Sequence, residues 1–228
     1  MPSIRTESLV ETESVAKDAK ASDHPRVVML GASGVGKTAI VQQFFYGKFP
    51  VDHIPTVEEM HSTTYNISGS TLALDVLDTS GYYAFPAMRR LAIKTGDAFI
   101  LVYAIDDTES FHYVSSLRDM ILEIRQKGED PVPIVVVGNK SDLEDTRVVS
   151  RDITESVVTI DWEVGFVEAS AKENVDIALI FKTVLTQAHI CYALGTPMER
   201  RRKSLPIQST YPKLKRALEQ KRHSCVVQ

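Results

Sequence analysis

Val27-Val28-Met29-Leu30-Gly31-Ala32-Ser33-Gly34-Val35-Gly36-Lys37-Thr38 decides the fold. An apolar run that ends in a glycine-punctuated turn reads as a buried strand feeding a helix. The turn itself fits the G-x-x-x-x-G-K-[ST] pattern of a phosphate-binding loop. Glycines at 31, 34 and 36 let the backbone close around an anion with its N–H groups turned inward, and the following helix directs the positive end of its dipole to the same point. The spacing predicts that Lys37 reaches the β- and γ-phosphates of a nucleoside triphosphate and that the Thr38 hydroxyl serves Mg2+. Ser33, Val35 and Ala39 complete the expected phosphate-contacting stretch.

Working outward, the 228 residues, 43% hydrophobic and 25% charged, suffice for one ordinary domain with a full core. No run approaches the roughly eighteen apolar residues that span a bilayer, and the first residues lack the layout of a secretory signal. The expectation is a soluble, intracellular chain unless something attaches it. Cys191 and Cys225 give no disulfide framework, in keeping with a reducing compartment. The net charge of −4 hides an asymmetry: from Pro197 to Gln228 nine Lys/Arg face Glu199 and Glu219, so that arm carries +7 and the body −11. An acidic body with a basic arm suits a surface-seeking tail and argues against nucleic acid as the partner. Residues 1–24, rich in Ser, Thr, Glu and Lys, read as a disordered extension, 25–194 as the domain, and 195–228 as a flexible basic arm.

Between Pro25 and Leu194, strands alternate with helices. Thr38–Gly47 reads as a helix stopped by its glycine. Val57–Ile67 and Thr71–Leu77 flank Ser68-Gly69-Ser70 as a hairpin. Ala98–Ala104 and Ile134–Val137 are near-continuous apolar runs, as central strands covered on both faces require. Ser110–Lys127, Arg151–Ile160 and Val175–Leu194 read as helices. The fold class is α/β: a doubly wound, mostly parallel six-stranded sheet with one antiparallel edge strand, whose ligand binds beyond the carboxyl ends of the strands.

Those strand ends carry polar clusters. After Val135-Val136-Val137 comes Gly138-Asn139-Lys140-Ser141-Asp142, where the Asp142 carboxylate can accept from N1–H and the exocyclic amine of guanine, donors that adenine does not offer in that arrangement. After Phe166-Val167 comes Glu168-Ala169-Ser170-Ala171-Lys172, whose Ala171 N–H suits guanine O6. Leu77-Asp78-Thr79-Ser80-Gly81 ends the second hairpin strand, with Asp78 placed for Mg2+ and the Gly81 N–H for the γ-phosphate. Thr56, after Pro55, offers a second hydroxyl to the metal. The loops at about 49–60 and 78–90 are candidates for switching with the γ-phosphate.

With these motifs in this order, residues 25–194 resemble a Ras-superfamily small GTPase of the P-loop NTPase class. Gly31–Thr38, Pro55-Thr56, Asp78–Gly81, Asn139–Asp142 and Ser170–Lys172 match its five guanine-nucleotide motifs, and Phe49 stands where the family packs an aromatic ring against the base. His53-Ile54-Pro55-Thr56-Val57-Glu58-Glu59 corresponds to the effector region of the Ras branch. Phe85-Pro86-Ala87-Met88-Arg89-Arg90-Leu91 and Thr95-Gly96-Asp97 are most similar to the Rhes and dexamethasone-induced Ras group, with Di-Ras proteins second. The resemblance implies GTP and GDP with Mg2+ as ligands, and exchange factors, GTPase-activating proteins and effectors as partners. It assigns turnover to Lys37, Ser33, Gly81 and Tyr82, with departures: Tyr82 replaces the glutamine that orients the attacking water, Ser33 replaces a glycine, Ser80 an alanine and His53 a tyrosine. Slow intrinsic hydrolysis is therefore expected.

Cys225-Val226-Val227-Gln228 reads as a C-a-a-X box whose final Gln favours farnesylation of Cys225 by a prenyltransferase. One lipid chain anchors marginally, so a second signal is needed. Lys213, Lys215, Arg216, Lys221 and Arg222 supply it toward the anionic inner leaflet, which places the protein on the cytoplasmic face of the plasma membrane. Arg200–Lys203 fit either that role or nuclear import. Two readings follow: a cycling GTP/GDP signalling switch, or a mostly GTP-loaded membrane scaffold with incidental hydrolysis.

Overall fold

The apolar runs of the sequence form the centre of one sheet. The computed structural model describes residues 24–50, 56–67, 70–81, 86–125 and 131–189. Its strands are β1 (Arg26–Gly31), β2 (Glu58–Ile67), β3 (Ser70–Thr79), β4 (Ala98–Ala104), β5 (Ile134–Asn139) and β6 (Gly165–Glu168). They lie in the order β2-β3-β1-β4-β5-β6. β2 and β3 pair antiparallel and every other neighbour is parallel, as expected. All seven residues of β4 and all six of β5 are buried, which is why these segments carry no alternation.

Two helical layers cover the sheet. On one face α1 (Lys37–Tyr46) and α5 (Ile177–Gln187) pack over Val27, Met29, Val102 and Val137. The Phe44 and Phe181 rings stack there, centroids 3.7 Å apart. On the other face α2 (Pro86–Thr95) and α3 (Thr108–Arg125) pack over Val28, Leu101 and Val136. α1 stops at Gly47, whose φ of 57° admits the left-handed cap that returns its N–H to the Gln43 carbonyl.

Several boundaries differ from the sequence expectation, each for a local reason. α3 begins at Thr108 because the Asp107 carboxylate accepts from the Ser110 N–H and caps the first turn. β5 runs on to Asn139, which pairs with Ala104. The single helix expected over Arg151–Ile160 is α4 (Arg151–Ser156) followed by a wider π turn, Val157–Asp161, closed by Trp162 N–H to the Val157 carbonyl. The widened turn buries Val158 and leaves Ile160 exposed. α5 begins at Ile177 because Val175 is bridged to Ser170 instead of joining the helix. Among the described residues no helix is long and apolar enough to cross a membrane. Residues 1–23 of the expected 1–24 extension, the hairpin tip Ser68-Gly69, and the chain from Ile190 through Cys191 and the basic arm to Gln228 lie outside the described residues.

Candidate functional site

The carboxyl ends of β1, β3, β5 and β6 open onto one cleft of about 990 Å³, a size suited to a cofactor or nucleotide. Ser33, Gly34, Gly36, Lys37, Thr38 and Ala39 form one side. Asn139, Lys140, Asp142, Ala171 and Lys172 form another. Phe49, 45% exposed, stands at the edge. Thr56, Val57, Glu58, Glu59 and Gly81 close the remainder. Gly31, Val35, Asp78 and Ser170 support these walls from behind instead of lining them, and Val35 and Asp78 are almost wholly buried.

The phosphate end is built for an anion. No side chain caps α1 at Gly36 and no acidic residue sits in its first turn, so the helix offers bare N–H groups to the cleft. The Lys37 ammonium is held by the carbonyls of Gly31 at 3.0 Å and Ala32 at 2.7 Å. Burial lowers its pKa to about 8, against the opposing pull of Asp78. Gly36 has φ 97°, and a Cβ there would lie 2.2 Å from Asn139 Nδ2, so the close approach of these two segments requires glycine.

Beside it, the three residues expected to serve a metal meet. Thr38 Oγ1 donates to Asp78 Oδ2 at 2.6 Å and lies 2.8 Å from Thr56 Oγ1. Asp78 is fully buried, and its Oδ1 has no hydrogen-bond partner among the described residues. Burial pushes this carboxyl upward, opposed by the Thr38 hydroxyl and then by Lys37. Two hydroxyls and a carboxylate with one oxygen unused are the donors that a hard cation such as Mg2+ takes. Thr79 Oγ1 fixes this corner to β1 through the Met29 carbonyl at 2.7 Å.

At the other end, Asn139 donates from Nδ2 to the Val35 carbonyl at 2.8 Å and accepts the Ala171 N–H on Oδ1 at 3.1 Å. Ser170 Oγ donates to Asp142 Oδ1 at 2.6 Å. Lys172 Nζ lies 3.7 Å from Asp142 Oδ2, and Lys140 Nζ 3.3 Å from Asp106 Oδ1. Lys140 holds a left-handed φ of 68°, the turn that swings Asp142 toward the cleft. Gln43, which the motif reading passed over, ties α1 to this end by donating to the Ala171 carbonyl at 2.9 Å. Its position on a helix two turns from the loop carries no motif to reveal it.

The segment entering the second switch loop is equally close. A Cβ on Gly81 would lie 2.4 Å from the Ser33 nitrogen, so the two backbones touch. Within the expected effector region, Val57, Glu58 and Glu59 are exposed, as a partner-facing segment must be. His53, Ile54, Pro55 and Tyr82 lie outside the described residues.

Residues 26–190 match the Ras family model. The chain is 40% identical over 188 residues to the GTP-binding protein Rhes of Homo sapiens, covering 79% of this chain and 71% of that protein. It is 38% identical over 165 residues to the GTP-binding protein Di-Ras1 of Mus musculus, covering 72% and 82%. It is also 35% identical over 212 residues to the GTP-binding protein Rit1 of Mus musculus, covering 92% and 94%.

The lowered Lys37 pKa has a measurable consequence. Its charged form is half lost at about pH 8 and nearly gone at the ordinary 10.5, whereas a polyanion in the cleft restores it. Titration of GDP into the protein at about pH 9, in buffers of different ionisation enthalpy, should therefore register proton uptake approaching one per site. Binding without proton uptake removes Lys37 from the phosphate contact.

Proposed function

The chain belongs to the Ras family, and from that premise we propose that it is a membrane-anchored signalling switch with slow intrinsic GTP hydrolysis. As a family member it binds GTP and GDP, hydrolyses GTP, and works with exchange factors, activating proteins and effectors. The observation that carries the site reading is the meeting of Thr38 and Thr56, which line the same cleft as Asp142, with the buried Asp78 behind them and beside Lys37. Asp142 accepts from the guanine edge and Phe49 flanks the base, while the Ala171 N–H, expected at O6, is given in this structure to Asn139 Oδ1. Lys37 and the first turn of α1 hold the phosphates. Thr38, Thr56 and Asp78 would hold Mg2+, which would supply neutralisation of phosphate charge. The Gly81 N–H meets the γ-phosphate and so couples that phosphate to the segment beginning at Tyr82.

Slow turnover follows from two side chains. Tyr82 lacks the separate acceptor and donor with which a side-chain amide orients water, and positioning is most of the catalysis of this reaction. The Ser33 backbone lies against Gly81, and a side chain at position 33 adds bulk where the γ-phosphate is proposed to bind. The same departures favour the reading in which the protein stays mostly GTP-loaded and acts by binding. Anchoring rests on Cys225 as a farnesylation site, with Lys213, Lys215, Arg216, Lys221 and Arg222 as the second signal, each worth about 1 kcal/mol near an anionic leaflet. Plasma-membrane location is part of this proposal.

Tyr82→Gln should raise the single-turnover hydrolysis rate by up to about 10²-fold, read as phosphate release from preloaded GTP. A fast wild type that Tyr82→Gln leaves unchanged means another group places the water. Cys225→Ser should move the protein from the membrane pellet to the soluble fraction of fractionated cells. Retention in the pellet contradicts the lipid anchor.

A further inference from the structure

Behind the two base-facing segments lies a charged cluster that the reading above does not use. Arg147, directly after the 3-10 turn Ser141–Thr146, is largely buried and spends all of its N–H donors. It donates from Nε and Nη2 to the two oxygens of Glu144 at 2.9 and 2.7 Å, and from Nη1 and Nη2 to those of Glu168 at 2.7 and 3.1 Å. Its remaining bond, from Nη1, goes to the Val149 carbonyl at 3.1 Å. The two carboxylates are placed alike: Glu144 is two residues after Asp142, and Glu168 is two residues before Ser170. Ser170 in turn donates to Asp142, so the chain of bonds from Asp142 through Glu144, Arg147, Glu168 and Ser170 closes into a ring.

Glu168 gives the ring its leverage. Its side chain is 5% exposed at the end of edge strand β6, and a buried carboxylate demands a partner. Beneath it the Tyr103 hydroxyl sits over Gly138, where a Cβ would approach it to 2.6 Å, and burial keeps that phenol neutral. Among the described residues Arg151 is the other cation in reach, 3.7 Å from Glu168 Oε2 and itself 61% exposed. Loss of the Arg147 fork leaves Glu168 to move toward water. Ala169, Ser170 and Ala171 follow it directly in the chain, and hydrogen bonds weaken steeply when displaced.

We propose that Arg147 is a positioning residue for base selection: through Glu144 and Glu168 it sets the spacing at which Asp142 meets both guanine donors. The proposal rests on Asp142 as the base reader. A lysine, a point charge with three donors, cannot bridge two carboxylates in this way.

The test uses the full chain with Mg2+ and compares affinities for GDP and for inosine diphosphate, which keeps N1–H but lacks the 2-amino group. Wild type should prefer GDP. Arg147→Lys should shrink that preference by about tenfold, the worth of one bond to a charged group, while acceleration of GDP release by a metal chelator stays as in wild type. Glu144→Gln removes one arm at an exposed carboxylate, cannot unfold the chain by stranding a buried charge, and should shrink the preference about threefold. Weaker binding of both nucleotides by the same factor, with the preference intact in either variant, overturns the proposal and leaves Arg147 a structural brace. Asp142→Asn should shift binding toward xanthosine diphosphate; failure of that shift, or a wild type without preference for GDP, overturns the base-reader assignment itself.

Discussion

The side-chain amide of Asn139 is bonded on both sides: its nitrogen to the carbonyl of Val35 in the phosphate loop, its oxygen to the N–H of Ala171 in the loop after β6. A buried amide placed between two loops has no alternative partners, so each loop is fixed relative to the other at the cost of leaving a polar group unpaired. The segments proposed to read the base and to hold the phosphates are therefore tied to each other through one side chain. Gly36 is the counterpart of this constraint, since the amide occupies the space where a side chain would stand. Gln43 on α1 and the Ser141 N–H in the turn after β5, which bond the carbonyls of Ala171 and Ala169, add further ties to the loop after β6.

The metal corner obeys different physics. Asp78 and Lys37 are both buried, and burial pushes the two toward their neutral forms. Ligands of opposite charge favour both ionised forms: phosphate for the lysine, a hard cation for the carboxylate. Thr38 belongs to α1, Asp78 to β3 and Thr56 to the chain entering β2, so a cation there joins three elements, one of which leads into the first switch loop. The nucleotide site thus combines a preformed base end, held by hydrogen bonds within the protein, with a phosphate end whose electrostatics are completed by ligand. Under the proposed function, such a division would let the γ-phosphate govern loops without disturbing recognition of the base.

How much of this was legible in the sequence depended on distance along the chain. Contiguous motifs, Gly31–Thr38 above all, announce themselves because phosphate chemistry needs several backbone groups from one turn. The sheet was legible too, because fully buried parallel strands must be apolar on both faces. The contacts that hold the motifs together were not, for they join residues far apart: Asn139 lies 104 positions from Val35, and Gln43 128 from Ala171. Arg147 and Glu168 look like ordinary surface charges until the fold places them together. The π turn at Val157–Asp161 was missed because Val157, Val158 and Ile160 fit a helical stripe, and only the packing shows that Val158 alone goes inward.

If Asn139 couples the two halves of the site, its removal must loosen the nucleotide as a whole. Release of fluorescent GDP from wild type and Asn139→Ala, followed with excess unlabelled GDP in saturating Mg2+, measures this most directly. The loss of two buried hydrogen bonds predicts release about 10²-fold faster in Asn139→Ala, with the far-ultraviolet circular dichroism unchanged. Release at the wild-type rate would contradict the account, because the base and phosphate loops would then hold their places without the amide between them.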